Sequence, residues 1–225
     1  MLQAVLDAVG FGLCHQLPER SLFGGGLRVP VCARDAGIYL GFAIALGVLS
    51  LMHRDRPSRP PAASVNALLA FGVVAMAFDG VTSYTGLRVT TNEIRLMTGL
   101  MTGFALAAWI TPVLAAELWR SPGSGRVLDD TARVGVYLAA LAGSYIAVWY
   151  GAPYLGVAYP LLATAAIIVT FTTVNLVIVC LLPPFERRAS RLSDAMIPIL
   201  LALVLTGLEL AGSAWLKAWL LGVLA

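Results

Sequence analysis

Charge is what this 225-residue chain has least of: 12% of its residues are Asp, Glu, Lys or Arg, while 59% are apolar and the mean hydropathy is +0.85. Soluble domains carry charge on roughly a quarter of their residues, so this composition excludes one and calls for a bilayer. A dense Lys/Arg stripe with interleaved aromatics is also missing. The formal charge of +3 therefore indicates no nucleic-acid partner, and the basic residues sit in loops, as topology determinants do. At the N-terminus there is neither a basic n-region nor a small-residue cleavage pattern, so a removable signal peptide is not expected. No internal repeat is visible, which leaves an inverted-repeat transporter without positive support.

What the chain has is long apolar runs. A membrane span needs about 20 mainly apolar residues. Runs bounded by charge or by Pro/Gly-rich breaks fall near 36–53, 64–84, 95–119, 134–151, 157–182 and 195–223. The expected fold is an all-α membrane protein, a single bundle of about six transmembrane helices over residues 1–225. Leu2, Val5, Leu6, Val9 and Leu13 recur at helical spacing and add a short N-terminal helix, interfacial or half-buried, within an extracytoplasmic segment 1–35.

Every second connection is arginine-rich: Arg54, Arg56 and Arg59, then Arg120, Arg126 and Arg133, then Arg187, Arg188 and Arg191. The positive-inside rule makes these loops cytoplasmic and both termini extracytoplasmic in a cell membrane. Trp149, Tyr150, Tyr154, Tyr159, Trp215 and Trp219 then fall at the outer interface, where amphipathic rings prefer to lie. Gly37-x-x-x-Gly41 and Gly99-x-x-x-Gly103 offer small faces for close helix approach, within the monomer or in a homodimer.

On this topology the outer side collects Cys14, His15, Cys32, Asp35, Asp79, Thr82, Ser83, Asn92 and Arg95. Asp79 lies about one turn inside its span, with Thr82 and Ser83 at i+3 and i+4. An ionisable group at that depth is costly unless paired or facing a wet cavity, so it reads as a catalytic acid/base or as half of an ion pair with Arg95. Arg95, flanked by Asn92 and Thr98, could hold a phosphate or carboxylate through its planar fork, or simply snorkel. Glu209, near the centre of the last span between Thr206 and Ser213, reads as a proton relay, a cavity floor or a structural hydrogen bond. Cys14, His15, Cys32 and Asp35 form a sufficient ligand set for zinc or iron. The two thiols could equally close a disulfide, or Cys14 could act as a nucleophile beside His15. Cys180 reads as a small apolar filler.

Cys14-His15-Gln16 with Pro18-Glu19-Arg20-Ser21, Pro30-Val31-Cys32-Ala33-Arg34 leading into Gly37-Ile38-Tyr39-Leu40-Gly41, and Asp79-Gly80-Val81-Thr82 followed by Gly86, Asn92, Arg95 and Thr98-Gly99 together resemble a family of small prokaryotic membrane proteins, domain of unknown function 2085. The resemblance covers roughly the first half of the chain and implies membrane location and these site residues. Two positions depart from the family pattern. Asp35 stands where a further cysteine is usual, and Ser83 where glutamine often follows. Aspartate ligates metals but joins no disulfide, so the first departure favours a metal site over a paired-cysteine redox centre.

The resulting expectation is a membrane enzyme with a zinc or iron site on Cys14, His15, Cys32 and Asp35 and with Asp79 and Arg95 as catalytic groups. Thr82, Ser83, Asn92 and Glu209 would bind the substrate. It would hydrolyse or transfer part of a lipid or another amphiphilic, anionic small molecule. The alternative is a transporter or lipid-binding protein in which Asp79, Arg95 and Glu209 line a pathway and a Cys14–Cys32 disulfide staples the N-terminal segment. A scaffold subunit is a third possibility.

Overall fold

The computed structural model describes residues 1–224. Helix α1 (Leu2–Phe11) is followed by a hairpin of β1 (Ser21–Gly24) and β2 (Leu27–Cys32), then by α2 (Ala33–Met52), β3 (Pro57–Arg59), α3 (Ala63–Tyr84), α4 (Asn92–Leu118) and β4 (Gly123–Arg126). The chain ends with α5 (Thr131–Ile146, prolonged by a wider turn to Gly151), α6 (Ala158–Cys180) and α7 (Met196–Leu224). Among the described residues six helices, α2 to α7, are long and apolar enough to cross a membrane. Three of them begin about one turn before their apolar runs, for a local reason. The Thr91 hydroxyl accepts from Ile94 N–H at the start of α4 and the Asp130 carboxylate accepts from Arg133 N–H at the start of α5, while α2 starts after Cys32, whose thiol hydrogen-bonds the Asp35 side chain in its first turn. Polar caps extend a helix beyond what hydropathy reveals.

The centre of the bundle is the crossing of α2 and α4. A Cβ at Gly99 would overlap the Arg34 carbonyl, and one at Gly103 the Ile38 carbonyl. Equivalent atoms at Gly37 and Gly41 would meet the Leu96 and Leu100 carbonyls at 2.5 and 2.9 Å. Both glycine pairs are thus spent on one contact inside the chain, backbone against backbone, as small-residue motifs allow in lipid. Two apolar clusters flank it: Val31, Leu40, Leu96 and Ile167 toward one end, and Phe42, Leu49, Phe104 and Tyr137 toward the other. By contrast α3 packs chiefly on α4, and α7 chiefly on α6.

Six antiparallel spans place α1, the hairpin and the end of α7 together at one end, here called the cap end. Lys217 Nζ on α7 donates to the carbonyls of Phe11 and Cys14, each at 2.7 Å. Leu6 of α1 is fully buried while Leu2 and Val5 are exposed, so α1 is half-buried on the bundle. The opposite, loop end is also ordered. Strands β3 and β4 pair in parallel, Arg56 stacks on Trp119, and the buried His53 accepts from Leu128 N–H at 3.2 Å. Tyr150, Tyr154, Trp215 and Trp219 are exposed at the cap end, but Tyr159 is 2% exposed and packs into the core. It is a core residue, not an interfacial one.

Candidate functional site

The hairpin explains how two cysteines 18 residues apart meet. Gly25 and Gly26 both adopt φ above +55°, the backbone a two-residue turn requires, so β2 folds back and ends at Cys32. Gln16 holds the preceding segment against that strand. Its backbone is left-handed (φ 56°), and its amide donates to the carbonyls of Asp7 and Pro30, each at 2.9 Å. Cys14 is thereby fixed above the start of α2, where Cys32 N–H donates to its sulfur at 3.3 Å. The Cys32 thiol donates to Asp35 at 3.3 Å.

The donor atoms of Cys14, Cys32 and Asp35 all lie within 4.8 Å of one another, and both cysteines are free thiols. Hydrogen bonding from the Cys32 side chain lowers the Cys14 thiol to about 7, against burial, which pushes the other way. The same pairing, reinforced by burial, raises Cys32. The lowered value favours the thiolate at Cys14, the form that binds a metal or attacks an electrophile. His15 is exposed and outside this trio, but it lines the small cavity beside it.

That cavity, of about 20 Å³, is walled by Cys14, His15, Cys32, Arg20, Arg34 and Arg95, with Tyr84 at its side. It has room for one water-sized group. Arg95 is 8% exposed, donates to Asn92 Oδ1 at 3.0 Å, and has no carboxylate partner among the described residues. Asn92 in turn donates to the Glu19 carbonyl at 3.1 Å, so it positions Arg95. Arg34 is also 8% exposed, and its Nε has no hydrogen-bond partner.

Asp79 stands behind this wall. The Asp79–Arg95 pair, the alternative to a catalytic Asp79, does not form, because Arg34 from α2 and Arg88 from the α3–α4 loop occupy the carboxylate, and Thr90 Oγ1 donates to it at 2.7 Å. Its oxygens are taken up by these three donors, which suits an anchor for two guanidinium groups better than a proton carrier. Thr82 spends its hydroxyl on the Phe78 carbonyl at 2.7 Å, and neither it nor Ser83 lines the cavity. Glu209 is elsewhere, bonded to Asn175 of α6. Asp79 and Glu209 are not brought together.

Sequence reasoning missed Arg20, Arg34, Arg88, Thr90 and Gln16 as parts of the site. Arg34 and Gln16 lie inside quoted motifs, and arginine at the first turn of a span could have been weighed as Arg95 was. Arg88 and Thr90 sit in a loop whose path no periodicity specifies.

Known proteins align with this half of the chain. The family model described as "Predicted membrane protein (DUF2085)" matches residues 14–109. A protein of Methanocaldococcus jannaschii described as uncharacterized is 33% identical over 115 residues, which is 51% of this chain and 72% of that protein. Another, from Methanothermobacter thermautotrophicus, is 40% identical over 104 residues, 45% of this chain and 86% of the other. No solved structure matches. With the quoted cysteine, arginine and aspartate motifs all inside the matched segment, this chain is an all-α membrane protein belonging to the DUF2085 family.

Proposed function

We propose that the cap end is a metal-assisted hydrolase or transferase site for an anionic amphiphile of the membrane. One observation carries the reading: the two thiols that meet the Asp35 carboxylate also line a small cavity walled by Arg20, Arg34 and Arg95. Cys14, Cys32 and Asp35 would hold the ion, with His15 beside them as a fourth candidate ligand. The donor set fits zinc or iron, since thiolates suit borderline metals and the carboxylate adds a harder ligand. A metal with an open position would polarise the substrate or activate water.

The protein's own residues supply the rest. Arg20, Arg34, Arg88 and Arg95 cluster here, and among the described residues Asp79 is the sole carboxylate paired with any of them. Arg20 and Arg95, which pair with no carboxylate among the described residues, favour an anionic group, which guanidinium forks bind in planar fashion. An apolar cavity of about 390 Å³ between α2, α5 and α6, lined by Leu40, Ile44, Val148 and Leu162 among others, offers space of acyl-chain character. Nine of the fifteen basic residues lie at the loop end, which favours an extracytoplasmic cap end by the positive-inside rule.

Elemental analysis of detergent-purified protein beside a Cys32→Ala variant, with free thiols counted on the same samples, tests the reading. Near-stoichiometric zinc or iron that disappears in the variant is expected. Metal-free protein with Cys14 and Cys32 both blocked would overturn it in favour of a disulfide staple.

A further inference from the structure

Three arginines reach the cap-end cavity from three separate elements: Arg20 from the turn before β1, Arg34 from the first turn of α2 and Arg95 from the first turn of α4. Each has donors to spare. Arg95 commits one nitrogen to Asn92, and among the described residues its other two donate to nothing. Arg34 reaches Asp79 through one terminal nitrogen, while its buried Nε has no partner. Arg20 only lies over the Tyr84 ring, 5.7 Å from its centre. Like charges gathered around one cavity repel, so the arrangement calls for an anion that joins them.

The size of that negative charge follows from the neighbours. Arg20, Arg34, Arg88 and Arg95 face two nearby carboxyl groups, Asp79 behind the wall and Asp35 beside Cys32, so two guanidinium groups are left unanswered. A carboxylate or a phosphodiester supplies one negative charge. A phosphate monoester supplies close to two, and it presents three terminal oxygens to three arginines. The cavity, of about 20 Å³, admits one such oxygen and leaves the phosphorus at the mouth, where the half-buried Arg20 stands. Leu17 and Tyr84, both exposed, border that mouth, and Tyr84 ends the span α3. An apolar rim at a membrane surface favours a phosphate carried by a lipid over the free ion. We infer that Arg20, Arg34 and Arg95 form a binding site for a phosphate monoester. This rests on the anionic substrate of the proposed function and names its class, but it needs no metal.

Microscale thermophoresis of detergent-purified full-length protein, stripped of metal with a chelator, tests it, and so separates failure of this site from failure of the metal reading. Dioctanoyl phosphatidic acid is expected to bind about tenfold or more tightly than dioctanoyl phosphatidylglycerol, a diester with one charge, or decanoate. Arg20→Gln and Arg95→Gln should each weaken phosphatidic acid binding by about tenfold or more, while Arg126→Gln, exposed at the loop end, leaves it unchanged. Arg20 has no hydrogen bond to lose among the described residues, so its variant keeps the fold intact. Inorganic phosphate bound as tightly as phosphatidic acid would uphold the chemistry and make the free ion the ligand. Phosphatidylglycerol or decanoate bound as tightly as phosphatidic acid, or phosphatidic acid binding unmoved by both arginine variants, would overturn the inference.

Discussion

The α2–α4 crossing and the α6–α7 pair solve the same problem, joining two helices in lipid, by different means. The first brings backbones together through four glycines and locks its cap end with a buried carboxylate between two arginines. The second has no glycine contact between its backbones and is bridged by a short relay of Thr172, Thr206, Asn175 and Glu209. Close glycine packing leaves no alternative register, because each carbonyl sits where a side chain would otherwise go. It therefore suits the half of the chain that must hold cysteines and arginines within a few ångströms. The looser pair tolerates an exposed polar group and has a free face.

Four substitutions sharpen or break this contrast. Asp79→Asn removes the charge that holds Arg34 and Arg88, and breaking a buried ion pair costs about 3–5 kcal/mol. Chemical unfolding in detergent should show a loss of that size; a loss below about 1 kcal/mol would mean the hub is dispensable. Gly99→Ala sets a methyl group against the Arg34 carbonyl and should cost about 2–3 kcal/mol, whereas Gly143→Ala on α5, which faces open space, should be nearly neutral in the same assay. Equal effects at the two glycines would refute the importance of the backbone contact. Asn175→Leu should cost about 0.6 kcal/mol, the usual worth of an interhelical hydrogen bond in lipid. A cost matching that of Asp79→Asn would erase the distinction between the pairs.

Much of this architecture was legible in the residues. The six apolar helices follow from run length, the short helix from the spacing of Leu6 and Val9, and the glycine contact from its four-residue period. The meeting of Cys14, Cys32 and Asp35 was foreseeable because all three precede one span on the same side. The arginine wall was not. Whether Arg34 or Arg95 reaches Asp79 depends on which way two helices rotate, and hydropathy does not encode rotation when the helices are apolar nearly all round. The hairpin was hidden for a different reason: its strands are short, and its Gly24-Gly25-Gly26 turn looks like any flexible link. Tyr159 was misplaced because an aromatic near a span end can face lipid or core equally well.

The order of elements along the chain adds a temporal consequence. Helix α2 finds its principal partner in α4, not in the α3 that emerges between them. Gly37 and Gly41 of α2 can therefore be covered only once Gly99 and Gly103 have been made, after α3 has emerged between them. By then Cys14, Cys32, Asp35, Asp79 and Arg95 have all been made, and the last three helices are not yet in the membrane. The trio and the arginine wall are thus all encoded before α5, while Lys217 of α7, which donates to the Cys14 carbonyl, is the last residue made that holds the cap.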